Sequence, residues 1–209
     1  MANEVDQIAP PALPSGTVEY SPSYENQKLN VFRLFFNRLT NLISGLLSRE
    51  PQGGGGKILY FPTALFFSTE TQQVAVANTA QAITLNNTYI GKGISVVDGS
   101  KITVSCDGVF NFQISMEIDK PSANAAVAYV WIRKNGVDTA YSTHTYHISG
   151  SDAAVGAVWA FNYDMQTGDY IEMMFTSDST DTELHAEAAT SPHVGIPSVV
   201  AAVNFVSNY

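Results

Sequence analysis

Four histidines, nineteen carboxylates and one cysteine are the groups of this 209-residue chain best suited to chemistry. His144 and His147 stand in a segment that reads as a strand or its end. Side chains alternate along a strand, so their odd separation sends them to opposite faces and away from a shared ion. His185 and His193 could approach only through the fold, and His193 sits in a Pro-containing loop. All four read as polar surface or as satisfied hydrogen-bonding groups. The acidic run Asp178-Ser179-Thr180-Asp181-Thr182-Glu183 offers oxygens that suit calcium. It lacks the glycine and terminal glutamate spacing of an EF-hand, whose ion takes about six to eight oxygens, and it reads as a solvated loop. Asp119 or Asp164 beside Glu117 or Glu172 would make a glycosidase-type carboxylate pair, but an all-β chain of this size offers such pairs by chance. No Gly-x-Ser-x-Gly elbow occurs. Cys106 falls third in the row Ile102, Val104, Cys106, the place of a small buried hydrophobe rather than a nucleophile. The residues assign no catalytic group, no metal ligand and no cofactor, and the chain reads as non-enzymatic.

Composition narrows the partners. Hydrophobic residues make up 45% and charged residues 14%, against roughly 25% charged in an ordinary soluble domain. Ser, Thr, Asn and Gln supply the missing polarity, a habit of all-β extracellular or virion proteins. The net charge of −9 repels phosphate backbones, and the basic residues form no run longer than Arg133-Lys134, so nucleic acid is not an expected partner. One cysteine permits no intramolecular disulfide, leaving burial and assembly as the sources of stability. The opening Met1-Ala2-Asn3-Glu4-Val5-Asp6 is acidic and polar, unlike a signal peptide, and no run approaches the ~18 apolar residues of a membrane span. Synthesis in a cytoplasm without membrane insertion is expected.

Four zones must position whatever function the chain has. Residues 1–23 hold Pro10, Pro11, Pro14 and Pro22 and read as an extended anchoring arm laid on another protein or left unfolded. Residues 24–49 turn helical: Phe32, Phe35, Leu39, Leu42 and Leu46 follow 3-4-3-4 spacing, and Leu29, Phe36 and Ile43 add a second row. This apolar face is wider than a two-stranded coil buries, and a helix this short is marginal in water. It predicts either a trimeric coil or a helix docked on another subunit, with packing on its own domain as the alternative. Residues 50–57 contain Gly53-Gly54-Gly55-Gly56, a hinge that decouples the helix from the C-terminal part of the chain. No Gly-Lys-Ser/Thr ending makes it a phosphate loop.

Residues 58–209 read as all-β. Phe110, Phe112, Ile114, Met116 and Ile118 alternate with Asn111, Gln113, Ser115 and Glu117. Ala128, Val130 and Ile132 alternate with Tyr129, Trp131 and Arg133 up to Asn135-Gly136, a strong hairpin turn, after which Asp138 onward returns antiparallel. Val155, Ala157, Trp159, Phe161 and Tyr163 form another row, and Thr167-Gly168-Asp169 turns it into Tyr170 to Phe175. The apolar run Val199 to Val206 predicts a strand buried on both faces. Further short strands are expected at Ile58 to Phe61, Gln73 to Ala77, Ala82 to Leu85, Ile94 to Val97, Lys101 to Cys106 and Glu183 to Glu187. About eight to ten strands at this spacing, without helices between them, predict an antiparallel jelly-roll sandwich head. Tyr129 and Trp131 would point outward, making them trimer-interface candidates unless their strand is covered on both faces. Loops at a sandwich end usually carry binding, so aromatics and hydroxyls on segments such as Tyr141 to Tyr146 are candidates, and the residues name no ligand-binding side chain.

The order Ser100-Lys101-Ile102-Thr103-Val104, Asp107-Gly108-Val109-Phe110-Asn111-Phe112-Gln113, Val130-Trp131-Ile132-Arg133-Lys134-Asn135-Gly136 and Thr167-Gly168-Asp169-Tyr170-Ile171-Glu172 resembles the trimeric jelly-roll heads of the tumour necrosis factor and first-complement-component superfamily. Phe110 stands where that pattern has tyrosine and Ile171 where it has valine; both keep the apolar character. The whole layout is similar to small virion proteins of tailed marine bacteriophages. It shares their Pro-containing start, a helix with Phe32-Arg33-Leu34-Phe35-Phe36-Asn37-Arg38-Leu39, a Gly-rich break, and an ending like Pro192-His193-Val194-Gly195-Ile196-Pro197-Ser198. That resemblance implies a structural virion component. The expected form is a homotrimeric short fibre, anchored to capsid or tail proteins through residues 1–49, whose head meets a host-surface glycan or protein. A capsid decoration or cement protein is the second reading, and a carbohydrate-active enzyme the third.

Overall fold

The computed structural model describes residues 11–16, 19–47 and 61–207, with residues 44–47 as backbone only. The tetraglycine, most of the expected strand from Ile58 and the side chain of Leu46 lie outside the described residues. The chain forms two compact units, Met1–Phe61 and Pro62–Tyr209.

In the first unit, helix α1 spans Pro22–Leu47. It begins two residues before the expected start, because Pro22 opens the helix instead of ending the arm. Proline suits a first helical position, where no N–H bond is required. Ser21 caps the turn: its Oγ accepts from the Tyr24 N–H at 3.4 Å, and its carbonyl accepts from the Glu25 N–H at 3.1 Å. Lys28 pairs with Glu25 at 2.9 Å one turn on. Ala12, Leu13 and Pro14 share a shallow cleft with Gln27, Asn30 and Val31, so this part of the arm has a local surface to lie along.

The second unit contains strands β1 (Thr63–Ser68), β2 (Gln72–Gln73), β3 (Gln81–Ala82), β4 (Asn87–Lys92), β5 (Ile94–Val97), β6 (Lys101–Val104), β7 (Gly108–Lys120), β8 (Ala126–Lys134), β9 (Val137–Asp138), β10 (His144–Ile148), β11 (Ala153–Met165), β12 (Tyr170–Ser177), β13 (Glu183–Leu184) and β14 (Val199–Ser207). One sheet runs β2-β13-β7-β14-β1-β4, with β11 on the other side of β7. The other runs β10-β8-β12-β6-β5, with β3 against β12 and β9 against β8. The named strand pairings are antiparallel. The chain crosses between sheets from β2 to β3, β3 to β4, β4 to β5, β6 to β7, β7 to β8, β10 to β11, β11 to β12 and β12 to β13, while β8, β9 and β10 stay in one sheet. This is the expected antiparallel jelly-roll sandwich, preceded by one helix.

The core lies where the inward rows meet. Phe110, Phe112, Ile114, Met116 and Ile118 are all at most 1% exposed, as are Ala128, Val130 and Ile132 opposite them. The expected turn at Asn135-Gly136 has φ of 51° and 80°, the paired positive values of a type I′ hairpin. It is clamped to the next turn: Asn135 Nδ2 donates to Asp169 Oδ1 at 2.8 Å, and Lys134 Nζ lies 3.0 Å from Asp169 Oδ2. The Tyr170 N–H also donates to Asn135 Oδ1 at 2.9 Å. The Lys-Asn-Gly and Gly-Asp motifs are therefore two halves of one structural clasp. A second clasp ties Asp107 to Thr167, whose N–H and hydroxyl donate to Asp107 Oδ1 at 2.8 and 2.7 Å. The adjoining Gly108, at φ 147°, passes so close to Phe205 that a Cβ would meet its ring at 2.4 Å.

Several expectations need correction. Strand β14 is not buried on both faces: Val199, Ala201 and Val203 are buried, Val200 and Ala202 only half, and Asn204 and Val206 are exposed. Its second row consists of small residues on a sheet face that the head itself does not cover. Strand β6 ends at Val104, so Cys106 sits in the following bend, half-buried against the core. The strands expected at 73–77, 82–85 and 183–187 shrink to two residues each, because each pairs with its neighbours over two residues only. Strands β1 and β4 are additional to the expected set: Leu65, Phe66 and Phe67 make β1 apolar on both parities and hide its alternation.

Candidate functional site

On one side of the sandwich the two sheets end in β11 and β10, and the side chains between these edges form a cleft of about 390 Å³. Strand alternation builds its wall: Trp159, Phe161 and Tyr163 all face inward from β11. Trp159 and Phe161 have ring centroids 6.5 Å apart, and Phe161 meets Tyr163 edge-on at 5.3 Å. Phe161 also stacks on core Phe112 at 5.2 Å and 9°, which fixes the ladder to the sandwich interior. Across the cleft, His144 lies flat on Trp159 at 5.1 Å and 16°.

The remaining wall comes from the turn after β9. Ser142 Oγ donates to the Thr139 carbonyl at 2.8 Å and accepts from the Ile132 N–H at 3.1 Å, pinning the turn to β8. Tyr141 projects from it fully exposed, with a left-handed φ of 60° that is uncommon for a large side chain. Among the described residues, the cleft is lined by Ile132, Thr139, Ala140, Tyr141, Ser142, His144, Trp159, Ala160, Phe161, Asn162 and Tyr163, with neither carboxylate nor ammonium. Such a surface offers flat ring faces, hydroxyls, imidazole and carboxamide, which suit an uncharged cyclic or aromatic ligand.

The helix residues named from the sequence share a stripe, but no apolar side chain among the described residues of α1 is buried. Phe32, Phe35, Leu39 and Leu42 are half-exposed, while Leu29, Phe36 and Ile43 are exposed by 62%, 58% and 44%. Leu46, Gly53, Gly54, Gly55 and Gly56 fall outside the residues whose side chains are described. Tyr129 points outward and is 36% exposed. Trp131 is half-buried, and its Nε1 donates to Asp138 Oδ1 at 2.9 Å. Arg133 Nε donates to the same oxygen at 2.8 Å. These bonds, Arg133 first and Trp131 second, hold the Asp138 carboxyl below its ordinary range.

His144 and His147 take opposite parities on β10, with His144 turned into the cleft. Glu172 is buried and accepts from Ser100 Oγ at 2.7 Å, so it is occupied structurally. The sequence marks the Tyr141 to Tyr146 segment and the Trp159 row separately. Nothing local in either shows that they share a cleft, because they belong to different sheets.

No family model matches the chain, and no curated protein matches it. Among solved structures, the globular domain of zebrafish complement 1qA protein is similar with a TM-score of 0.43 and 10% identity, over 71% of this chain and 98% of that chain. No helix among the described residues is long and apolar enough to cross a membrane.

Proposed function

We propose that this chain is a non-enzymatic virion structural protein of a tailed phage. In this reading it is a homotrimeric short fibre, anchored to capsid or tail proteins through residues 1–49 and displaying its jelly-roll head for attachment to a host surface. The observation that carries this reading is the unburied apolar stripe of α1. Phe32, Phe35, Leu39 and Leu42 are half-exposed, with Leu29, Phe36 and Ile43 exposed beside them. Burying such side chains stabilises by about 1.5–3 kcal/mol each, so the stripe favours association with sister chains or a larger body. Tyr129 and Trp131 are interface candidates on the head. The aromatic cleft beside Tyr141 and His144 is the part of the head best suited to a host saccharide, whose ring faces would lie on Tyr141, His144 and Phe161.

The test is the mass of the full-length protein by light scattering. The wild type should run as three 22.5 kDa chains, and the combined Phe32→Ser, Phe35→Ser, Leu39→Ser, Leu42→Ser variant should fall to one while its head keeps its melting temperature. A monomeric wild type at tens of micromolar overturns the trimer. Unchanged incorporation of the variant into particles overturns the anchor. A capsid-cement role is the reading favoured by β11, a 13-residue strand that pairs only with β7 among the described residues and so offers an outer edge to a neighbour. Under that role, particles lacking the protein lose stability and adsorb normally.

A further inference from the structure

We infer that Asp119, Glu183 and His185 form a binding site for a divalent transition-metal ion of the zinc class. No metal site is legible in the sequence, because the residues that converge lie on strands far apart in the chain. Register brings them together: Glu183 of β13 pairs directly with Asp119 of β7. Ile118 and Leu184, their neighbours, are fully buried, so Asp119 and Glu183 share the outer face of the sheet. His185 lies two residues beyond Glu183, and its N–H donates to the Glu117 carbonyl at 2.8 Å, which continues the pairing with β7 and keeps the imidazole on that face.

The donor atoms converge. His185 Nδ1 lies 2.9 Å from Glu183 Oε1 and 4.0 Å from Asp119 Oδ2, and one donor atom from each residue lies within 4.8 Å of the others. Zinc bonds nitrogen and oxygen at about 2.0–2.2 Å, so tetrahedral ligand atoms sit about 3.4 Å apart. The observed separations straddle that value, and a small rotation of the glutamate closes the difference. The supporting bonds already orient the ligands. The Lys120 N–H donates to Asp119 Oδ1 at 2.6 Å, leaving Oδ2 for the ion. The side chains of Asp119, Glu183 and His185 are 25%, 18% and 36% exposed, so water can complete the coordination shell.

The local field favours positive charge. The Glu183 and Asp119 carboxylates both face the His185 imidazole, at 2.9 and 4.0 Å. A divalent cation between them offsets the charge of the two carboxylates. One imidazole with two carboxylates selects a borderline ion such as zinc over calcium, which prefers oxygen alone.

Full-length protein stripped with chelator and titrated with zinc chloride by calorimetry tests the site, with zinc per chain counted by elemental analysis after dialysis. One zinc per chain is expected. Its dissociation constant should rise at least tenfold in Asp119→Asn, Glu183→Gln and His185→Gln, and hold within twofold in His144→Gln and His193→Gln. Melting curves of the zinc-free variants identify any that fail to fold. For those, the visible absorption of cobalt bound to the wild type reads the site instead, and a spectrum lacking imidazole nitrogen counts against it. Wild type that retains no zinc, triad variants that retain it undiminished, or loss confined to His193→Gln each overturn the assignment.

Discussion

Replacing Asp169 with alanine tests whether the clasp between the two turns, rather than strand pairing alone, holds the β8, β9 and β12 end of the head together. Three groups lose an acceptor, the Gln166 N–H at 2.9 Å, Asn135 Nδ2 at 2.8 Å and Lys134 Nζ at 3.0 Å, though Lys134 keeps its bond to the Asp164 carbonyl. Each of the two N–H bonds to this solvent-screened carboxylate contributes about 1 kcal/mol net, and the partly exposed ammonium adds between zero and about 1 kcal/mol. A loss of about 2 kcal/mol is expected, which lowers the melting temperature of a head of this size by about 4–8 °C. The pH dependence gives an independent reading. Burial raises the Asp169 carboxyl, but the Gln166 N–H, the Asn135 amide and Lys134 together outweigh it, so the net displacement is below the ordinary value. A depressed folded-state value means stability that is present above the unfolded carboxylate value of about 4 and lost as pH falls through the folded one. Melting curves of wild type and Asp169→Ala should therefore differ at pH 6 and converge as pH drops below about 4. A difference under about 1 °C at pH 6, or one that persists undiminished at about pH 2, refutes the clasp.

Gly108→Ala places a Cβ 2.4 Å from the Phe205 ring and 2.7 Å from the Ser207 carbonyl at a φ that side chains rarely adopt. It should cost about 3 kcal/mol in denaturant unfolding. In the aromatic cleft, Tyr141→Ala removes a fully exposed ring and should leave stability within about 0.5 kcal/mol while abolishing saccharide binding on a glycan array. Trp159→Ala should instead cost about 3–5 kcal/mol, because that ring is 8% exposed and belongs to the core.

Much of the fold was legible because its determinants are local. Alternation with period two is a property of consecutive residues, and it placed Phe110 to Ile118, Ala128 to Ile132 and the Trp159 row on their inner faces. Asn135-Gly136 identified its turn because so few residues tolerate two positive φ values in succession. The helical stripe from Phe32 to Leu42 emerged from its spacing in the same way.

The sequence by itself determined the strand-rich class, the inner rows and the turns, together with a helix whose greasy face its own segment could not hide. Only the tertiary structure decided which strands adjoin. It set His144 of one sheet against Trp159 of the other, drew Asp119 beside Glu183, and buried Lys120 completely with its ammonium donating to the Ser122 and Gly150 carbonyls. Apart from the Lys120–Ser122 bond, those contacts join residues distant along the chain, and their energies depend on register and crossover. Neither is written in any short stretch of residues, whereas periodicity and turn chemistry are.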